Sequence, residues 1–100
     1  MKASKPTQHI REIKGRLYSG NVTETQRKLE YDLLRFQSLI IEISDIQEID
    51  MSGVFMLYFL KRKAQEKGLE VNFIGVNNEV FKSALKFLGI SQLFDKKTAA

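Results

Sequence analysis

Apolar positions along the chain alternate between short strand-like runs and stripes spaced by three and four residues. From His9 to Leu17, the apolar residues Ile10, Ile13 and Leu17 surround Gly15. This pattern predicts an edge or near-edge strand with a bend or bulge near the glycine. Tyr18-Ser19-Gly20-Asn21 has the composition of a turn. A first helix is expected to start at Asn21 or Thr23, because Glu24 and Gln26 stand three residues beyond them, as a capping box requires. Val22, Leu29, Leu33 and Phe36 follow at intervals of seven, four and three and make one stripe, while Arg27, Lys28 and Glu30 point elsewhere.

Leu39-Ile40-Ile41-Glu42-Ile43 is nearly continuous in its hydrophobicity, which predicts a central strand covered on both faces. After an acidic turn from Ser44 to Asp50, a second helix is expected from Ser52 or Gly53 to Lys67, stopped by Gly68. Leu69 to Ile74 predicts another buried strand. Asn78 should cap a third helix whose stripe is Val80, Phe81, Ala84, Leu85 and Leu88, with Gly89 ending it. Phe94 closes the ordered part, and residues 1–8 and 96–100 are expected to be flexible. Alternation of strands and helices with short connections specifies one α/β domain over residues 1–100, with parallel strands and right-handed crossovers.

Composition narrows the chemistry. One hundred residues with 43% hydrophobic and 28% charged content build one ordinary core without metal or cross-links. The absence of Cys removes disulfides, thiolate catalysis and Cys-ligated zinc. The net charge of +4 is dispersed, and its densest group, Lys61, Arg62, Lys63 and Lys67, is interrupted by Ala64, Gln65 and Glu66. Nucleic-acid binding is therefore not indicated. The longest apolar run, the seven residues Val54 to Leu60, is too short to cross a bilayer, and no secretory h-region follows Met1. A cytoplasmic location follows by default.

His9 is the only histidine and lies in the loosely held approach to the first strand, which leaves a hydrolytic triad without a placed base. No glycine run has the spacing of a phosphate loop. Glu42, Asp45, Glu48 and Asp50 lack the spacing of a calcium loop. The expectation is a protein that is not an enzyme and uses no cofactor and no metal. The informative segment is Ile46 to Val54, where Asp50 is followed by Met51, Ser52 and Gly53. It puts a hydroxyl at a helix N-terminus, where free N–H groups and the dipole favour negative charge.

Gly15-Arg-Leu, Leu39 to Ser44, Asp50-Met-Ser-Gly53, and Glu66-Lys-Gly68-Leu through Leu88-Gly89-Ile-Ser-Gln-Leu-Phe94, taken in order, resemble the landmarks of a STAS domain over nearly the whole chain. The resemblance implies a STAS-like fold with a four- to five-stranded, mostly parallel sheet and three to four helices packed on it. It implies a stand-alone bacterial regulator similar to an anti-sigma factor antagonist, which works by partner switching. Its partner would be an anti-sigma factor or serine kinase-like protein, bound through the loop before helix two and that helix. An alternative in the same fold is the STAS subunit that binds the ATPase of a bacterial phospholipid-transport ABC complex.

In the family the phosphorylated hydroxyl usually follows the Asp directly, and here Met51 stands there. Ser52 matches the next position and is the remaining candidate for phosphorylation; otherwise it caps the helix. At about 100° per residue, helix two places Leu57, Leu60 and Ala64 on a core sector centred near Gly53 and leaves Phe55, Tyr58 and Phe59 largely outside it. The expected contact residues are Asp50, Met51, Ser52, Gly53, Phe55, Tyr58, Phe59 and Arg62. A weak homodimer is compatible with this surface, and neither nucleic acid nor direct membrane insertion is expected.

Overall fold

A computed structural model describes residues 7–90 of the chain. The elements run β1 (Gln8–Glu12), β2 (Gly15–Leu17), α1 (Val22–Arg35), β3 (Ser38–Glu42), β4 (Ile46–Ile49), α2 (Met51–Glu66), β5 (Glu70–Ile74) and α3 (Glu79–Leu88). All paired strands are parallel, in a three-stranded sheet ordered β1-β3-β5 and a two-stranded sheet of β2 and β4. Backbone bonds from Ile13 N–H to the Glu42 carbonyl and from Gly15 N–H to the Asp45 carbonyl carry the pairing from the first sheet into the second. The bulge expected near Gly15 is present between Gly15 and Arg16. Phe94, expected to close the ordered part, and both predicted flexible ends, apart from Thr7 and Gln8, lie outside the described residues.

Burial alternates along the sheet. Leu39, Ile41, Val71 and Phe73 join the core, where they meet Leu29 of α1, Leu57 and Leu60 of α2, and Phe81 of α3. Their neighbours Ile40 and Asn72 do not. The expectations that β3 is covered on both faces and that β5 is a buried strand are therefore corrected: the core lies on one face, while Ile10 and Ile74 remain 54% and 43% exposed on the other. Continuous apolarity along Leu39 to Ile43 does not by itself distinguish the two cases.

The acidic turn is also corrected. Ile46 to Ile49 forms β4, with Ile46 buried, because the two isoleucines at its ends anchor a strand whose middle residues Gln47 and Glu48 face solvent. Helix two begins at Met51, and its N-cap is Asp50, not Ser52. Helix one begins at Val22 with Asn21 as N-cap, yet the Asn21 side chain makes no bond to the helix. It accepts from Tyr18 N–H and donates to the Arg16 carbonyl, so it closes the turn that precedes the helix. Gly68 and Gly89 adopt the left-handed conformation expected just past α2 and α3. His9 is not in a loose approach: it sits in β1 with its ring stacked on Phe36 at 4.5 Å.

Candidate functional site

The corner between β4 and α2 is built around one carboxylate. Asp50 Oδ1 accepts from Gly53 N–H at 3.1 Å and from the Ser52 hydroxyl, and Oδ2 accepts from Ser19 N–H at 3.0 Å. Asp50 N–H donates to the Leu17 carbonyl, so the corner is stitched to the end of β2 from both backbone and side chain. The Ser52 hydroxyl bond is the largest influence holding Asp50 below the usual carboxylate range; partial desolvation opposes it, and the backbone N–H groups of Gly53, Ser19 and Ser52 reinforce it. The negative charge that a helix N-terminus favours is thus already supplied by the chain itself.

Gly53 is buried and touches the strand layer. A Cβ placed on it would stand 2.9 Å from the Leu17 carbonyl oxygen and 2.9 Å from Leu17 Cγ. Only glycine lets α2 approach β2 this closely. Of the expected contact residues, Gly53 therefore shapes the corner from inside and presents no surface, whereas Met51 beside it is 56% exposed.

Along α2 the remaining expected residues form one face. Met51, Phe55, Tyr58, Phe59 and Arg62 follow one another at spacings of four, three, one and three, which keeps them on a single stripe. Phe55 and Phe59 stack with centroids 6.2 Å apart, Tyr58 lies 5.2 Å from Phe59, and the Arg62 guanidinium lies 5.9 Å over the Tyr58 ring. Phe59 is 57% exposed, while Phe55 and Tyr58 are half-buried. The opposite side carries Val54, Leu57, Leu60 and Ala64 into the core.

A second apolar feature adjoins Met51. A groove of about 650 Å³ runs between the β4–α2 corner and α3, lined by Ile49, Met51, Val80, Ala84, Phe87 and Leu88, with Asp50 and Glu79 among its polar residues. Phe87 is 88% exposed. Sequence reasoning missed it, although its place outside the stripe Val80, Phe81, Ala84, Leu85 and Leu88 was the available signal.

The other residues considered for chemistry are dispersed. Glu48 pairs with Arg16 at 2.8 Å and Glu42 accepts from the Ser44 hydroxyl. No three His, Asp or Glu side chains converge as metal ligands among the described residues. The three cations of α2 also diverge: Lys61 Nζ donates to the Val71 carbonyl, Arg62 lies over the Tyr58 ring and Lys63 reaches Glu30 on α1. Burial lowers the pKa of Lys61 from its ordinary value.

A family model of the STAS domain matches residues 3–100. The chain belongs to the STAS domain family. Among solved structures, it is similar to a sulfate transporter family protein from Wolinella succinogenes, with 18% identity, a TM-score of 0.70, and coverage of 95% of this chain and 78% of that one. No curated protein matches the chain in sequence. The α/β arrangement of parallel strands and three helices is that of a STAS domain. STAS domains are in general non-catalytic and regulatory and mediate contacts between proteins. No helix among the described residues is long and apolar enough to cross a membrane.

Proposed function

We propose that this STAS domain is a non-enzymatic regulator resembling an anti-sigma factor antagonist, which binds an anti-sigma factor or kinase-like protein through the Asp50 corner and the outer face of α2. The observation that carries the reading is the continuous stripe from exposed Met51 through stacked Phe55, Tyr58 and Phe59 to Arg62, held at one end by a fully bonded Asp50. Aromatic residues with an arginine are the side chains that dominate the energy of protein interfaces. The rigid corner fixes where that face begins.

Switching by phosphorylation has little to work with here. Met51 has no hydroxyl, and the Ser52 hydroxyl is bonded to the Asp50 carboxylate. A phosphate on Ser52 would bring about −1.5 to −2 charges against that carboxylate. This favours the second reading, a subunit that docks on the ATPase of a phospholipid-transport ABC complex, where no switch at this position is required.

The test is recovery of the tagged protein from its own organism, with Met51→Asp and Phe59→Ser as paired variants. Both side chains are more than half exposed, so melting should move little, on the order of 0.5 kcal/mol of stability. Capture of the specific partner should be lost. An anti-sigma factor among the recovered proteins supports the first reading and an ABC ATPase the second. A partner retained equally by both variants would place the contact elsewhere. Stoichiometric phosphoserine at Ser52 in protein from growing cells would restore a phosphorylation switch.

A further inference from the structure

The two free edges of the three-stranded sheet are treated differently. In β5, the backbone groups that face away from β3 belong to Val71 and Phe73, because Ile43 N–H bonds to the Ile74 carbonyl and the ladder alternates from there. That edge is guarded: Lys61 Nζ donates to the outward Val71 carbonyl at 3.0 Å and lies 5.7 Å over the Phe73 ring. A lysine laid along an edge strand is a common device against pairing with another chain.

Among the described residues, no side chain guards the outer edge of β1 in this way. Ile13 N–H bonds to the Glu42 carbonyl, so His9 and Arg11 turn their backbone groups to β3 and Gln8, Ile10 and Glu12 turn theirs outward. Among the described residues, no strand occupies that outer edge. The side chain at its centre, Ile10, is 54% exposed on the open face of the sheet.

We infer that the outer edge of β1 pairs antiparallel with β1 of a second copy of this chain, about a two-fold axis at Ile10. In that arrangement each outward residue meets another outward residue. Ile10 faces Ile10 of the second copy, and Gln8 faces Glu12, an amide set against a carboxylate at both ends of the pairing. Every outward N–H and C=O of the strand finds a partner, which centring on Gln8 or Glu12 would not achieve. On the other face Arg11 comes opposite His9, and its charge is already matched by two 2.8 Å bonds to Asp32. The result is one continuous six-stranded sheet in which the exposed isoleucines of both copies adjoin.

The experiment is sedimentation and amide exchange on the full chain across a dilution series. A mass of twice 11.5 kDa is expected at high concentration, falling to the monomer on dilution. The Ile10 amide should exchange slowly in the dimer and fast in the monomer, while the Arg11 amide, bonded to β3, stays slow in both. Ile10→Pro removes an N–H that the β1–β3 ladder does not use, so it should give a folded monomer at all concentrations. Ile10→Lys serves as the second variant should proline disturb the strand, with the same monomer expected. A monomeric wild type, a dimer that survives both variants, or an Ile10 amide protected at every dilution would overturn the inference, the last because the edge would be filled from within the same chain.

Discussion

Two corners of the molecule turn a strand into a helix with the same three-residue logic and opposite chemistry. At the first, Asp50 caps α2 by accepting from Gly53 N–H; at the second, Asn78 caps α3 by accepting from Phe81 N–H at 3.0 Å. Beyond the cap they diverge. Asp50 is an acceptor only, and it gathers Ser19 N–H and the Ser52 hydroxyl in addition. Asn78 shares the two hydrogens of its amide nitrogen among the carbonyls of Ile43, Ser44 and Ile46, fastening the β3–β4 turn. The position three residues on is equally opposed: Gly53 is empty so that a helix can touch a strand, and Phe81 is among the largest fully buried side chains. One corner leaves a charge and a methionine at the surface, and the other is a structural clamp.

The contrast is broken most forcefully by emptying the second corner. Phe81→Ala should cost about 3 to 5 kcal/mol, read as the shift in a urea unfolding midpoint. Asn78→Asp should come next, at about 2 to 3 kcal/mol at neutral pH, because it removes the donor to three carbonyls and sets a carboxylate against them. The helix cap itself survives that change, so the loss reports the turn fastening together with the repulsion between the new carboxylate and those carbonyls. Gly53→Ala should cost about 1 to 3 kcal/mol by overpacking against Leu17, and it should move partner binding as well as stability.

The smallest effect sharpens the comparison through pH. Asp50→Asn should cost about 1 kcal/mol at neutral pH, as expected for an exposed cap that loses its charge. Because the folded state holds the Asp50 pKa below its ordinary value, its contribution is fully present above the unfolded carboxylate range and is lost as pH falls through the folded value. Melting curves of wild type and Asp50→Asn should therefore converge on acidification below about pH 4. A gap that stays constant would show that the Asp50 charge contributes nothing.

Much of this division could be read in the sequence. Asn78, Gly68 and Gly89 were legible because caps and left-handed stops depend on local backbone chemistry. The core sector of α2 followed from helical spacing of Leu57, Leu60 and Ala64. Three features escaped for physical reasons. β4 was hidden because Gln47 and Glu48 dominate a four-residue segment whose isoleucines alone report burial. Asp50 displaced Ser52 as the cap because the two types rank nearly equally, and only the position of Leu17 and Ser19 in space selects between them. The division within the outward face of α2, which leaves Phe59 57% exposed but Phe55 and Tyr58 half-buried, depends on how far the sheet extends, which no local pattern encodes.

The Asp32 carboxylate sits 2% exposed on α1 and is held by the Nε and Nη2 atoms of Arg11 on β1. β1 is a five-residue strand with few apolar side chains of its own, the kind that hydrophobicity alone would let slide along its neighbour. A slide by two residues would preserve which face is buried but would bring His9 or Ile13 to the place of the guanidinium. Stranding a buried charge in this way costs about 3 to 5 kcal/mol. The ion pair therefore acts as an index mark: it adds little to how tightly the strand is held and decides at which single offset it stops.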